Sequence, residues 1–279
     1  MRYLAPAKLN LNLLVSSRDH TGMHPLLSLV QTIEWCDVLV VEESDSDEFD
    51  PTGIAVPEGG DNLVLKALSK LREKLEVPPV AVKLDKRIPI EAGLGGGSSD
   101  AAASLLAGCD LANAASSLAA EVAPEVGADV SFFLEGGTAE ISGYGERIEN
   151  KPAPEGISFA VVVPDFGLST PDVYRRWDEM GEPAGFELPD RLLPPVLRHT
   201  YPIRNDLYRA AVDIEPALGD FVSDTAMLWD TAVMMTGSGS ACFGFFPNEE
   251  EAASAAAAVR GTRAAAGAAA RKRGVERVE

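Results

Sequence analysis

With 279 residues, 46% of them hydrophobic, the chain is long enough to bury a substantial core as one large domain or two packed halves. Its 24 Lys and Arg against 43 Asp and Glu leave a formal charge of −19, which repels nucleic-acid backbones and anionic lipid, so neither nucleic acid nor membrane is an expected partner. No apolar run of about 18 residues offers a membrane span, and the start MRYLAPAKLN lacks a signal-peptide h-region, so a soluble, cytoplasmic protein is expected.

Ala7 to Leu13 alternates polar and apolar with period two and predicts a strand whose polar face carries Lys8, Asn10 and Asn12. Loop signals at Asp19 to Gly22 precede a second strand within Leu29 to Val41, and the acidic run Glu42 to Asp50 reads as a solvated turn, without the glycine and spacing of a calcium loop. The three cysteines, Cys36, Cys109 and Cys242, lie far apart and read as buried thiols, so neither a disulfide framework nor a metal site is expected. Asp61-Asn62 is an Asx-type cap for an amphipathic helix to about Leu75, followed by a strand over Val80 to Leu84 and a turn at Asp85-Lys86-Arg87.

The next segment, Pro89-Ile90-Glu91-Ala92-Gly93-Leu94-Gly95-Gly96-Gly97-Ser98-Ser99-Asp100, leads from that turn into a helix over Ser98 to about Gly108. Four glycines in five positions let backbone N–H groups approach an anion, and the helix start adds partial positive charge. An oligophosphate fits, which is how so acidic a protein could take an anionic nucleotide. Ser98 or Ser99 can cap the helix or touch a phosphate; Asp100 completes the first turn or faces a metal. The Walker A pattern fails because Ser98, not lysine, follows Gly97, and the dinucleotide fingerprint fails because its third glycine position is Ser98. A plain flexible loop is the bland alternative.

Further along, a helix over Ala114 to Val122 and strands at Thr138 to Ser142 and Phe159 to Val163 are predicted. Elements at Asp206 to Asp213, Thr231 to Thr236 and Ser240 to Phe246 follow, and then an Ala-rich helix from Glu249 onward. Arg271-Lys272-Arg273 reads as the basic C-terminus of that helix. The composition shift after Pro152 suggests an α+β fold of two halves, residues 1–155 and 156–279.

Pro-x-x-x-Gly-Leu-Gly-Gly-Gly-Ser-Ser-Asp-Ala-Ala-Ala resembles the phosphate motif of the GHMP kinase superfamily. Residues 5–11, Gly22-Met23-His24, Asp61-Asn62-Leu63, Gly127-Ala128-Asp129-Val130 and Gly237-Ser238-Gly239-Ser240 are similar, in the same order, to the branch that phosphorylates the 2-hydroxyl of a diphosphocytidyl methylerythritol alcohol for non-mevalonate isoprenoid biosynthesis. The resemblance implies a two-lobed fold, with an N-terminal half like ribosomal protein S5 and a ferredoxin-like C-terminal half. It also implies a monomer or homodimer using ATP and Mg2+ on a cytidyl substrate.

Under that resemblance, Lys8 and Asp129 form the catalytic pair, the aspartate as base and the lysine orienting the hydroxyl. Residues 89–99, Asn62, Leu63 and, more weakly, Lys86 fall on the ATP side. Asn10, Met23, His24, Thr170, Tyr174, Gly237, Ser238 and Gly239 fall on the substrate side, with Tyr174 stacking on cytosine. Met23 departs from the family's usual tyrosine, which implies weaker or altered cytidine recognition; Ser131 and Tyr208 depart from its usual proline and acid. A GHMP-type kinase for another sugar, polyol or isoprenoid alcohol, and a non-catalytic nucleotide-binding regulator, are the alternatives.

Overall fold

In the computed structural model, residues 1–57, 59–198 and 202–279 are described. The first lobe comprises β1 (Arg2–Asn10), β2 (Leu14–Val15), β3 (Leu26–Glu43), β4 (Glu48–Gly53), α1 (Leu63–Arg72), β5 (Val80–Lys86), α2 (Gly96–Leu111), α3 (Ser117–Val126), α4 (Val130–Glu135), β6 (Thr138–Gly143) and β7 (Arg147–Lys151). The second comprises β8 (Ser158–Pro164), α5 (Thr170–Glu179), β9 (Phe186–Glu187), β10 (Arg204–Asn205), α6 (Tyr208–Ile214), α7 (Ala217–Trp229), β11 (Val233–Met235), β12 (Cys242–Phe246), α8 (Glu249–Ala258) and β13 (Thr262–Ala269). The chain then returns to the first sheet as β14 (Glu276–Arg277), beside β1.

The first sheet is built around the long β3, which pairs with β1 through its middle, with β5 at one end and with β2 and β6 at the other. The second has the order β11-β12-β8-β13, all antiparallel, with helices joining its strands in the β-α-β-β-α-β sense of a ferredoxin-like half. A bulge between Pro6 and Ala7 decides where β1 points. Before it, Tyr3 and Ala5 join the core under α1–α4. After it, Ala7 and Leu9 face a second core between the lobes, shared with Phe159, Val161 and Phe243. Lys8 and Asn10 are thereby turned into the cleft.

Three expectations are corrected. The acidic run is not all turn: Glu48–Gly53 pairs in parallel with β5, since one edge strand can hold carboxylates pointing to water. Asp85 and Lys86 do not turn but extend β5. The Ala-rich helix stops at Ala258, and Thr262–Ala269 is a strand paired with β8. Alanine favours helix, but here small side chains let α8 lie directly on the sheet: a Cβ at Gly267 would stand 2.1 Å from Ala253 N. Arg271 therefore ends no helix; it is buried and paired at 2.6 Å with both Glu34 and Glu276.

Candidate active site

The lobes enclose a cleft of about 640 Å³ lined by the glycine loop, Lys8, Asn10, Asn62, Leu63, Lys86, Asp129, Thr170, Tyr174, Gly237 and Ser238. Residues as distant in sequence as Lys8 and Ser238 thus share one wall-to-wall space.

The helix of the phosphate loop begins at Gly96, earlier than predicted, and neither serine caps it: Gly95 does so in left-handed conformation, φ 70°. A Cβ there would meet the Phe133 ring at 2.8 Å and Lys8 Cγ at 3.0 Å, so only glycine brings the loop this close to Lys8. The loop is pinned from both lobes. Lys8 N donates to Leu94 O at 2.9 Å, Ala241 N to Ala92 O at 3.1 Å, and Arg263 Nη2 to Ile90 O at 2.8 Å. Ser98 borders the cleft, whereas Ser99 is buried behind it with its hydroxyl unpartnered.

Lys8 Nζ donates to Asn10 Oδ1 at 2.5 Å and stands 3.6 Å from Asp129 Oδ2. Asn10 is itself fixed, its Nδ2 donating to Ser28 Oγ at 2.7 Å and its backbone N to Thr236 Oγ1 at 2.8 Å. Its amide oxygen holds the lysine, and Asn10 also borders the cleft. Asp129 sits just ahead of α4, half exposed to the cleft. Thr170 and Ser238 join across the second lobe by a 2.7 Å hydroxyl pair, closing the far wall.

Tyr174 lines that wall, and burial, with the Asp129 charge adding, pushes its hydroxyl up to about 12, so it stays a neutral phenol. His24 is behind it rather than in the cleft, its ring 5.4 Å from that of Tyr174 and 5.5 Å from Trp177. Its Nδ1–H donates to Ser16 O at 3.0 Å, and Nε2 accepts from Arg18 Nε at 3.2 Å. Met23 is 54% exposed on the neighbouring loop and does not line the cleft; nor does Gly239, which lies behind Gly237 and Ser238.

Asn62 caps α1 as its sequence predicts, accepting from Val64 N at 2.9 Å, and donates to Pro57 O at 3.0 Å. Both ends of its amide are thus engaged. Lys86 is also committed: its ammonium donates to Asp37 at 2.5 Å and to Asp100 at 2.7 Å with almost no exposure. Burial works to lower its pKa, but the charges of Asp100 and Asp37 outweigh this and raise it, so Lys86 remains a cation. Asp100 thus meets a lysine rather than a metal. Asp37, in mid-β3, carried no local signal in the sequence.

A two-lobed α+β fold with a helix-capping glycine loop and a lysine–aspartate pair at its mouth defines a small-molecule kinase of the GHMP type. Residues 62–137 match the family model described as GHMP kinases N terminal domain, and residues 225–264 that described as GHMP kinases C terminal. A 4-diphosphocytidyl-2-C-methyl-D-erythritol kinase of Caldanaerobacter subterraneus subsp. tengcongensis is 34% identical over 270 residues, covering 94% of this chain and 93% of its own length. One from Paenarthrobacter aurescens is 34% identical over 264 residues, covering 86% and 83%. A crystal structure of 4-(cytidine 5'-diphospho)-2C-methyl-D-erythritol kinase superposes with a TM-score of 0.78 at 37% identity over 96% of this chain and 99% of that one. A homoserine kinase from Cytophaga hutchinsonii, TM-score 0.66 at 16% identity over 99% and 96%, shares the fold alone. The chain belongs to the 4-diphosphocytidyl-2-C-methyl-D-erythritol kinase family, a branch of the GHMP kinases.

Proposed function

We propose that the protein transfers the γ-phosphoryl group of ATP to the 2-hydroxyl of 4-diphosphocytidyl-2-C-methyl-D-erythritol, releasing ADP, in the non-mevalonate route to isoprenoid precursors. The observation that carries this reading is the meeting of Lys8 and Asp129 at the mouth of the glycine-loop cleft, in a chain whose relatives are named for that alcohol. It acts in the cytoplasm; among the described residues no helix is long and apolar enough to cross a membrane.

Asp129 accepts the hydroxyl proton as the oxygen attacks the γ-phosphorus, and Lys8, aimed by Asn10, orients that oxygen and offsets the developing negative charge. The backbone N–H groups of residues 93–98 and the start of α2 hold the phosphates. Asn62 and Leu63 border the adenine through the cleft wall. Tyr174, supported from behind by His24, offers a ring face to the cytosine, while Thr170 and Ser238 present hydroxyls to the polar middle of the substrate.

Among the described residues no three His, Cys, Asp or Glu side chains gather to hold a metal. Ser98 and Asp129, two of the cleft's oxygen donors, would suit instead a magnesium ion that arrives on the triphosphate and keeps phosphate and water as most of its ligands. Bound there, the ion neutralises charge on the phosphoryl oxygens.

The test is a phosphorylation assay with ATP and magnesium across a panel of alcohols. Turnover of the diphosphocytidyl alcohol above all others is expected. Turnover of a different sugar, polyol or isoprenoid alcohol in its place would overturn the substrate and leave the kinase.

A further inference from the structure

Three buried side chains outside the reacting set meet under the phosphate loop, each from a different element: Asp37 from β3, Lys86 from the end of β5 and Asp100 from the first turns of α2. Lys86 Nζ bonds Asp37 Oδ2 at 2.5 Å and Asp100 Oδ2 at 2.7 Å. The other oxygen of Asp37 accepts two backbone N–H groups, from Arg87 at 2.6 Å and Ile88 at 2.8 Å, the residues that carry the chain out of β5 into the loop. At the loop's other end, a Cβ at Gly96 would lie 2.8 Å from Lys86 Nζ, so the ammonium touches the backbone where α2 starts. One ionic cluster thus fixes both ends of the loop.

We propose that Asp37, Lys86 and Asp100 are positioning residues for the phosphate loop, a buried strut that sets the loop's two ends for ATP. The inference rests on the reading of this loop as the ATP cradle. It differs from the role the family resemblance implies for Lys86, that of a nucleotide ligand, because the ammonium, at about 1% side-chain exposure, commits two of its three N–H donors to carboxylates.

The two carboxylates are not equivalent. Asp37 saturates both oxygens with a cation and two N–H groups, the surroundings of an ionised carboxylate. Asp100 leaves Oδ1 buried without a partner, which suits a neutral carboxyl. Burial pushes its pKa up to about 8, the Lys86 charge opposing and the Asp37 charge reinforcing the rise. With Asp100 neutral, the strut carries one positive and one negative charge and places no net negative charge under the triphosphate. The roles therefore divide: Asp37 is the counter-ion, Asp100 a hydrogen-bonding partner that an amide can replace.

The experiment compares Asp37→Asn, Lys86→Met and Asp100→Asn in the full chain by two readouts. Amide hydrogen exchange over residues 87–96 without nucleotide should be at least about tenfold faster in Asp37→Asn and Lys86→Met than in wild type, with α3 and α8 unchanged. KM for ATP should rise by about tenfold or more in both, with KM for the alcohol within about twofold, while Asp100→Asn stays near wild type in both readouts. If either charge-removing single variant does not fold, the double variant Asp37→Asn/Lys86→Met, which removes both charges together, carries the same comparison. Unchanged loop exchange in Asp37→Asn overturns the strut. So does unimpaired ATP use in Asp37→Asn alongside loss in Lys86→Met, the result for a lysine that contacts phosphate directly. A wild-type protein that binds no ATP would remove the cradle reading; the exchange comparison still decides whether the strut holds the loop.

Discussion

Asp129 Oδ2 stands 3.6 Å from Lys8 Nζ, while the lysine's shorter bond, 2.5 Å, goes to Asn10 Oδ1. The ammonium is aimed by an amide rather than captured by the carboxylate, which leaves Asp129 oxygen free for a hydroxyl proton. Asp129→Ala should lower kcat by about 10²- to 10⁴-fold, the usual range for a lost general base. ATP affinity, measured by calorimetry, should change by less than about threefold, because the phosphates are held elsewhere. Near-native turnover at saturating substrates would remove Asp129 from that role.

Asn10 should act through Lys8. In Asn10→Ala the ammonium loses its close partner and is drawn to Asp129. We expect kcat to fall by about ten- to a hundredfold through misaimed chemistry, with KM for the alcohol within about twofold. A loss confined to KM for the alcohol would instead mark Asn10 as a substrate contact.

Met23 precedes His24, whose ring packs behind that of Tyr174. His24 is held behind Tyr174 by Ser16 and Arg18, whereas Met23 is 54% exposed, with room for a larger ring. A single exposed side chain changes stability by no more than about 0.5 kcal/mol. Met23→Tyr should therefore leave the melting temperature and KM for ATP unaltered while lowering KM for the diphosphocytidyl alcohol several-fold through stacking. An unchanged KM for that alcohol would mean that position 23 has no part in the pocket.

The parts of the site written locally were legible in the sequence, and those written across the fold were not. The glycine loop and the Asn62 cap depend on neighbours within a few residues, so their spacing carried their meaning. Asp37, Lys86 and Asp100 each read locally as strand, turn or helix start; only β3, β5 and α2 together make them a cluster. Arg271 failed likewise, because a basic run after alanines looks like a helix end until Glu34 and Glu276 arrive from other strands. The face of β1 was read correctly as polar, yet the bulge at Pro6 and Ala7 that turns it into the cleft is signalled only by a proline inside the strand.

The strand character of 262–269 is testable at Gly267, which underlies α8. A Cβ added 2.1 Å from Ala253 N must push the helix away. Overpacking of this kind costs about 1–3 kcal/mol, so Gly267→Ala should lower the melting temperature by several degrees. Kinetic constants below the transition should stay at wild type, since α8 does not border the cleft. A variant as stable as wild type would contradict the close seating of α8 on β13.

Asp100 gives the protein a pH dependence of defined sign. Its ordinary pKa of 3.8 rises to about 8 in the fold, where burial is the largest cause and Lys86 and Asp37 are the charged groups facing it. Between those values the folded chain keeps a proton that the unfolded chain has released. By linkage, this group's contribution is fully present below pH 3.8 and is lost as pH climbs through about 8, with a slope of up to about 1.4 kcal/mol per pH unit. Carboxylates held below their usual range, such as Asp47 beside Arg72, act in the opposite sense and at lower pH. Asp100→Asn cannot titrate, so its stability relative to wild type should improve steadily from pH 5 to about 8.5 in urea unfolding. A constant difference across that range would mean that Asp100 is ionised throughout and that the strut carries a net negative charge beneath the phosphates.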